Sequence, residues 1–75
     1  NILMIFLNQI PGVSDTISKT LSSEFKSLNE FMSFLNDLSK EDKIEYLSNK
    51  EVKLNNNKKR RIGSKTSKRI IELLF

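Results

Sequence analysis

The sequence predicts an all-α domain of five short helices, and three observations support this prediction. Apolar residues recur at helical spacing along most of the 75 residues, and no segment shows the strict alternation of a half-buried strand. Serine stands where several of these periodic segments begin, as is typical of helix N-caps. Proline and glycine interrupt the pattern where turns are needed. We therefore expect one small domain, residues 1–75, with the thin core of a short chain.

The first two predicted helices are separated by a Pro-Gly turn. Residues 2–10 are apolar on nearly every side, so a helix there is buried or covered by a partner. In the segment IPGV, at 10–13, the proline cannot donate a backbone hydrogen bond and the glycine accepts the positive φ of a tight turn. Ser14 or Asp15 then caps a second helix over residues 14–25.

Two further helices are predicted over residues 27–38 and 39–48, each beginning at a serine. Ser27 and Glu30 have the spacing of a capping box, in which the serine side chain bonds the backbone N–H three residues on. Ser39 begins the fourth helix in the same way, with an acidic residue three positions further along. These starts fix two helices that follow each other almost without a linker.

The segment that follows is polar and is predicted to be a loop. It covers residues 48–59 and includes three consecutive asparagines. Loops of about 12 residues are long for a compact domain and are usually functional or mobile. The last helix is predicted over residues 64–74, with its apolar residues near its end.

Positive charge is concentrated at the end of the chain. Residues 58–75 carry seven basic side chains and one acidic side chain, a net charge of +6. Residues 1–57 carry six basic and eight acidic groups, a net charge of −2, so the total is +4. Concentrated positive potential attracts polyanions, which makes nucleic acid the first candidate partner and an anionic membrane surface the second.

The composition excludes most catalytic constellations. The chain has no Cys and no His, so it lacks a thiolate nucleophile, the usual zinc ligands and the usual general base. Three acidic residues, Glu41, Asp42 and Glu45, are interpreted as a solvated helix face and not as a metal site. The longest apolar run, residues 2–7, is shorter than the about 20 residues that cross a bilayer, so no membrane span is expected.

The chain contains an internal repeat. GVSDTISKTL, residues 12–21, can be aligned with RIGSKTSKRI, residues 61–70. Each copy is a turn that opens a helix, and each follows another helix. The positions that agree in kind are Val13 with Ile62, Ser18 with Ser67, Lys19 with Lys68 and Leu21 with Ile70.

Both copies resemble the helix-hairpin-helix motif, whose turn reads h-x-G-h-G, with h apolar. The matching residues are Ile10, Gly12 and Val13 in a first hairpin at about 10–14, and Ile62 and Gly63 in a second at about 60–64. Ser14 and Arg61 depart from the motif. Over roughly residues 3–74 the chain resembles a tandem helix-hairpin-helix (SAM-like) domain, and it is most similar to the C-terminal domain of XPF-type and crossover-junction structure-specific endonucleases.

The resemblance implies a function in DNA repair or recombination. It implies sequence-independent binding of the DNA backbone, at branched or junction DNA, and pairing with a like domain as a homo- or heterodimer. It also implies an intracellular location, in the nucleus or another site of DNA replication or repair. We expect this chain to be the C-terminal part of a longer protein, without cofactor or catalytic residue of its own. A nuclease centre with its divalent metal would lie upstream, since EDK at 41–43 does not reproduce the ERK-x-x-D signature.

The second hairpin is the predicted phosphate site. Backbone N–H groups at a glycine turn, together with the positive end of the helix dipole, form an anion site. The predicted donors are the amides of residues 62–65, and basic side chains extend the contact. The full predicted set is Lys58, Lys59, Arg60, Arg61, Ile62, Gly63, Ser64, Lys65, Lys68 and Arg69.

The first hairpin is predicted to be mainly structural. Its weaker candidates are Gly12, Val13, Ser14 and Lys19. Ser14 would cost about 1–2 kcal/mol if the turn required a left-handed conformation there. Asp15 also places negative charge where a phosphate would approach.

The apolar ends of the chain predict either extra core or a dimer interface. Phe6, Phe31, Phe34 and Phe75 are the candidate interface anchors. The alternative function is a non-catalytic dimerisation module in which the basic run is a localisation segment or a solvated face. A parent protein that cleaves a phosphodiester other than genomic DNA is a third possibility.

Overall fold

The computed structural model describes residues 2–54 and 57–75. Within these residues the chain forms five helices and one two-stranded antiparallel sheet. The elements, in order, are α1 (Ile2–Asn8), α2 (Asp15–Glu24), α3 (Leu28–Asn36), α4 (Lys40–Ser48), β1 (Glu51–Lys53), β2 (Lys59–Arg61) and α5 (Ser64–Leu74). The predicted, mostly helical architecture is confirmed, and the sheet is an addition that the sequence did not predict.

Serine side chains begin three of the helices, as predicted. Ser14, Ser27 and Ser39 each accept a hydrogen bond from the backbone N–H three residues further on. Ser14 has φ −84° and ψ 167°, an extended conformation that any residue adopts. The predicted strain cost at Ser14 therefore does not arise, because this position is a helix cap and not a left-handed turn residue.

The first turn is a compact β-turn from Ile10 to Val13. The N–H of Val13 donates to the carbonyl of Ile10 at 3.1 Å, and Gly12 has φ +91°. Pro11 stands at the second position of this turn, where its fixed φ is favourable, and glycine supplies the positive φ at the third. The sequence-predicted turn is thus present, as a type II turn.

The prediction of a loop over residues 48–59 is wrong at Glu51–Lys53 and at Lys59, because β1 and β2 form a hairpin there. Glu51 is paired with Arg61, and the N–H of Leu54 donates to the carbonyl of Lys58 at 2.7 Å. Asn57 has φ +64°, a left-handed conformation that asparagine tolerates better than most residues. A strand of three residues contains too little alternation to be recognised in sequence. Asn55 and Asn56 lie outside the described residues.

The hairpin begins shortly after α4, and the chain that follows β2 is hydrogen-bonded to the end of α4. The N–H of Ile62 donates to the carbonyl of Lys50 at 3.0 Å, and that of Gly63 donates to Ser48 at 3.1 Å. Consequently α5 begins beside the end of α4, and these two helices pack together, as α1 and α2 do. The fold therefore contains two helix pairs, one joined by a tight turn and one by a hairpin.

The core draws on every helix and on β1. Phe31 is fully buried, with its ring 5.2 Å from that of Phe25 in an edge-to-face contact. Its prediction as an interface anchor is therefore wrong, since this ring stabilises the chain's own core. The buried hydrophobic residues are Leu3, Leu7, Ile10, Val13, Ile17, Leu21, Phe25, Phe31, Leu35, Leu47, Val52, Ile62, Ile70 and Ile71.

Candidate nucleic-acid interface

An open groove of about 870 Å³ lies between the first turn and α5. Ser64 and Lys65 form its wall at the start of α5, and Lys68 follows one turn later. Glu72 is the acidic residue among those that line it. The other lining residues are Pro11, Arg69 and Leu73. With three basic groups and one acidic group, the groove favours an anionic ligand.

The start of α5 differs from the starts of α2, α3 and α4. Its N-cap is Gly63, with φ 88° and ψ 161°, and no side chain caps it. The first N–H groups of any α-helix have no acceptor within the helix, so those of Ser64 and Lys65 point outward at the positive end of the helix dipole. This part of the predicted phosphate site is compatible with the structure.

Two of the four predicted amide donors are already in use. The N–H of Ile62 bonds Lys50, and the N–H of Gly63 bonds Ser48, where the hairpin rejoins α4. The prediction that these two amides hold a phosphate is therefore wrong. Gly63 instead supplies the positive φ that turns the chain from β2 into α5.

Arg69 connects the groove to the first turn. Its Nη1 donates to the carbonyl of Pro11 at 3.1 Å, and a Cβ on Gly12 would lie only 2.9 Å from that nitrogen. The side chain is therefore engaged with the protein itself, although the residue is exposed. Arg69 therefore has a structural role in the first turn. Its role as a DNA contact stays a prediction.

The first turn contributes little to the groove. The Val13 side chain is buried, and its N–H bonds Ile10. The Ser14 side chain accepts from the N–H of Ile17 at 3.3 Å, which occupies a donor that a phosphate would otherwise use. Lys19 is exposed on α2 and does not line the groove. These contacts hold the first turn together, and its predicted, mainly structural role stays a prediction.

The basic run lies on the hairpin and not at the start of α5. Lys59, Arg60 and Arg61 form β2, and all three are exposed. Lys58 precedes them and is also exposed. None of the four lines the groove. The sequence predicts this run and the glycine turn as one site, whereas the pairing of β2 with β1 separates them.

A second cluster of polar side chains ties the hairpin to α2. Lys50 Nζ lies 2.7 Å from Glu24 Oε2, and the Tyr46 hydroxyl donates to the same oxygen at 3.4 Å. Burial lowers the pKa of Lys50, but hydrogen bonds with Glu24 and Tyr46 outweigh it, so the pKa is raised above 10.5. The sequence does not predict this cluster, since Glu24 is 22 residues from Tyr46 and 26 from Lys50.

The other predicted interface rings remain partly accessible. Phe34 is 40% exposed and packs against Phe25 and Tyr46, while Phe75 is 49% exposed with Lys43 Nζ 4.8 Å from its ring centre. Phe6 is half-buried in α1.

Residues 2–54 and 57–75 contain neither a metal-binding cluster of side chains nor a membrane-spanning helix. No group of three or more His, Cys, Asp or Glu side chains there is arranged to hold a metal ion. In the same ranges, none of the helices has the length and apolar character needed to cross a bilayer.

The comparisons with known proteins gave no relative. The chain matched no protein-family model, no curated protein and no solved structure. Function is therefore inferred from the residues and their geometry.

Proposed function

We propose that this chain is a sequence-independent DNA-backbone-binding domain of the tandem helix-hairpin-helix type. In this proposal it belongs to an XPF-type structure-specific endonuclease of DNA repair or recombination. It would place a nuclease centre, located elsewhere in the protein, at branched or junction DNA. The chain itself contributes binding and, with a like domain, dimerisation.

The groove at the start of α5 is the observation that carries this proposal. Ser64, Lys65 and Lys68 line it, and no side chain caps the first N–H groups of α5. Amides and lysines that meet a phosphate carry no base code, so the binding they support is independent of sequence. The helix pairs α1–α2 and α4–α5 support the tandem arrangement, although the second pair is joined by a longer connection than the motif requires.

DNA affinity measured against salt concentration tests the proposal. Neutralisation of about four phosphates gives log K against log salt a slope of about −3.6. Lys65→Glu plus Lys68→Glu should weaken binding about tenfold or more, because two cations are replaced by anions. Glutamate near a helix N-terminus is favourable for the helix itself, so the variant should remain folded.

A matched control separates a local effect from a change in net charge. Lys26→Glu plus Lys40→Glu makes the same charge change at exposed positions that do not line the groove. It should weaken binding by no more than about threefold. No binding by the unmodified chain at low salt, or equal losses in both double variants, would refute the assignment.

The exposed apolar side chains favour a second candidate function, a dimerisation module with a basic localisation segment. Ile2 is 73% exposed, Ile5 59% and Leu73 60%, so large aliphatic side chains near both ends of the chain are open to a partner. This alternative predicts a dimer in sedimentation velocity and DNA binding that is insensitive to Lys65→Glu plus Lys68→Glu.

A further inference from the structure

We propose that the β1–β2 hairpin is a second phosphate-binding element, which contacts a stretch of DNA backbone beyond the one held in the groove. This inference rests on the proposed function, because it assigns an additional surface to the same ligand. The groove would hold one segment of backbone, and the hairpin would hold the next.

One face of the hairpin points away from the core. Val52 is 3% exposed and faces inward. Side chains alternate along a strand, so Glu51 and Lys53 face outward. The register pairs Lys53 with Lys59 and Glu51 with Arg61, which puts these partners on the same outward face. All four outward residues are exposed.

The outward face holds like charges against each other. Lys53 and Lys59 are directly opposite, where side chains lie about 5 Å apart and like charges destabilise the pair. Arg61 lies two residues along from Lys59, a distance of about 6.6 Å. All three cations are within the Debye length of about 8 Å in physiological salt, so their potentials add. One carboxylate, Glu51, offsets this only in part. A polyanion would relieve the repulsion.

The hairpin is long enough to contact phosphates that the groove does not reach. Its hydrogen-bonded ladder runs from Lys50–Ile62 to Leu54–Lys58, four residue steps, or about 13 Å. One DNA strand rises about 3.4 Å per nucleotide, so the hairpin spans about four nucleotides. Its outward face and the groove share no residue, and only Ile62 and Gly63 separate β2 from α5 along the chain. Because two cationic elements follow each other this closely, a long polyanion such as nucleic acid is favoured over an acidic protein.

Duplexes of two lengths test the proposal in the full chain. A duplex of about 6 base pairs is about 20 Å long, and one of about 16 is about 54 Å, against a longest dimension of 34 Å for the domain. Lys59→Gln plus Arg61→Gln should weaken binding to the longer duplex about tenfold and make its salt slope about 2 less negative. Binding to the shorter duplex should change less than about twofold. Lys65→Glu plus Lys68→Glu should weaken binding to both duplexes.

A stability measurement distinguishes a binding role from a structural one. Lys59→Glu replaces a repulsive cross-strand pair with an attractive one, so its unfolding midpoint in urea should be equal to or above that of the unmodified chain. Its affinity for the longer duplex should nevertheless fall. Weaker DNA binding that accompanied a lower midpoint would overturn the proposal for this hairpin.

The remaining outcomes separate this proposal from the proposed function. If the unmodified chain binds neither duplex, both fail. If the groove variant loses binding while Lys59→Gln plus Arg61→Gln matches a Lys26→Gln plus Lys40→Gln control, only the hairpin proposal fails. It fails equally if the hairpin variant loses affinity for poly-glutamate but keeps its affinity for DNA, because the surface would then bind acidic polypeptide.

Discussion

The turns before α2 and α5 are alike in sequence but are held by different hydrogen bonds. The first is closed by its own hydrogen bonds, with Ser14 capping the helix and Arg69 fixing the carbonyl of Pro11. The second is held by bonds from residues 62 and 63 back to the end of α4, and no side chain caps α5. The difference is that the first turn ends in a side-chain cap, whereas the start of α5 has none.

The two glycines should give the largest effects in a test of this comparison. Gly63→Ala places a side chain at φ 88° and ψ 161°, a region open almost only to glycine, at a cost of about 2–3 kcal/mol. Gly12→Ala should cost about 1–2 kcal/mol, since left-handed values are less costly and only the flexible end of Arg69 must move. Urea unfolding measures both, and the reverse order would contradict the comparison.

The caps should give the next largest effect. Ser14→Ala removes the side chain that accepts from Ile17, which should lower the free energy of unfolding by about 1 kcal/mol. Ser64→Ala is the matched control in the second copy. It should change stability by less than about 0.5 kcal/mol, because Ser64 does not cap α5. If thermal unfolding showed equal losses of stability in the two variants, Ser64 would also cap its helix.

Alanine substitution of the two repeated buried serines, Ser18 and Ser67, should change stability in opposite directions. Ser18 Oγ donates to Asn8 Oδ1 at 2.5 Å, whereas Ser67 Oγ is buried without a hydrogen-bond partner. Ser18→Ala should destabilise by about 0.5 kcal/mol, after the gain in helix propensity is counted. Ser67→Ala should stabilise by about the same amount, because it removes an unsatisfied hydroxyl. Loss of stability in Ser67→Ala would mean that an internal water pairs this group.

The ion pair between Lys50 and Glu24 should give the smallest effect. The folded-state pKa of Lys50 is raised, so its stabilising contribution is complete below 10.5 and is lost as the pH rises through the higher folded value. The pair is partly exposed, and Glu24→Gln should cost about 0.5 kcal/mol or less at about pH 8. The difference between the two proteins should shrink above pH 10.5, and a constant difference would mean that charge is not involved.

Local rules were enough to predict the helices and the first turn. Residue types at short spacing predict the caps at Ser27 and Ser39, the Pro-Gly turn and the helix Ser64–Leu74. The hairpin was missed because its pairing joins residues up to ten apart, with one apolar residue to mark the inward face. The partners of Gly63 and Arg69 also lie far away in sequence, so the division of the site into groove and hairpin required the structure.

The return of the chain to the end of α4 has a consequence for how this segment can change in length. Residues 50 and 62 are fixed by a hydrogen bond, and Gly63 is fixed to Ser48 beside it. Residues can therefore be added to or removed from the hairpin in opposing pairs, while the start of α5 keeps its place against α4. In this fold the length of the basic hairpin is an adjustable property, whereas the geometry of the groove is not.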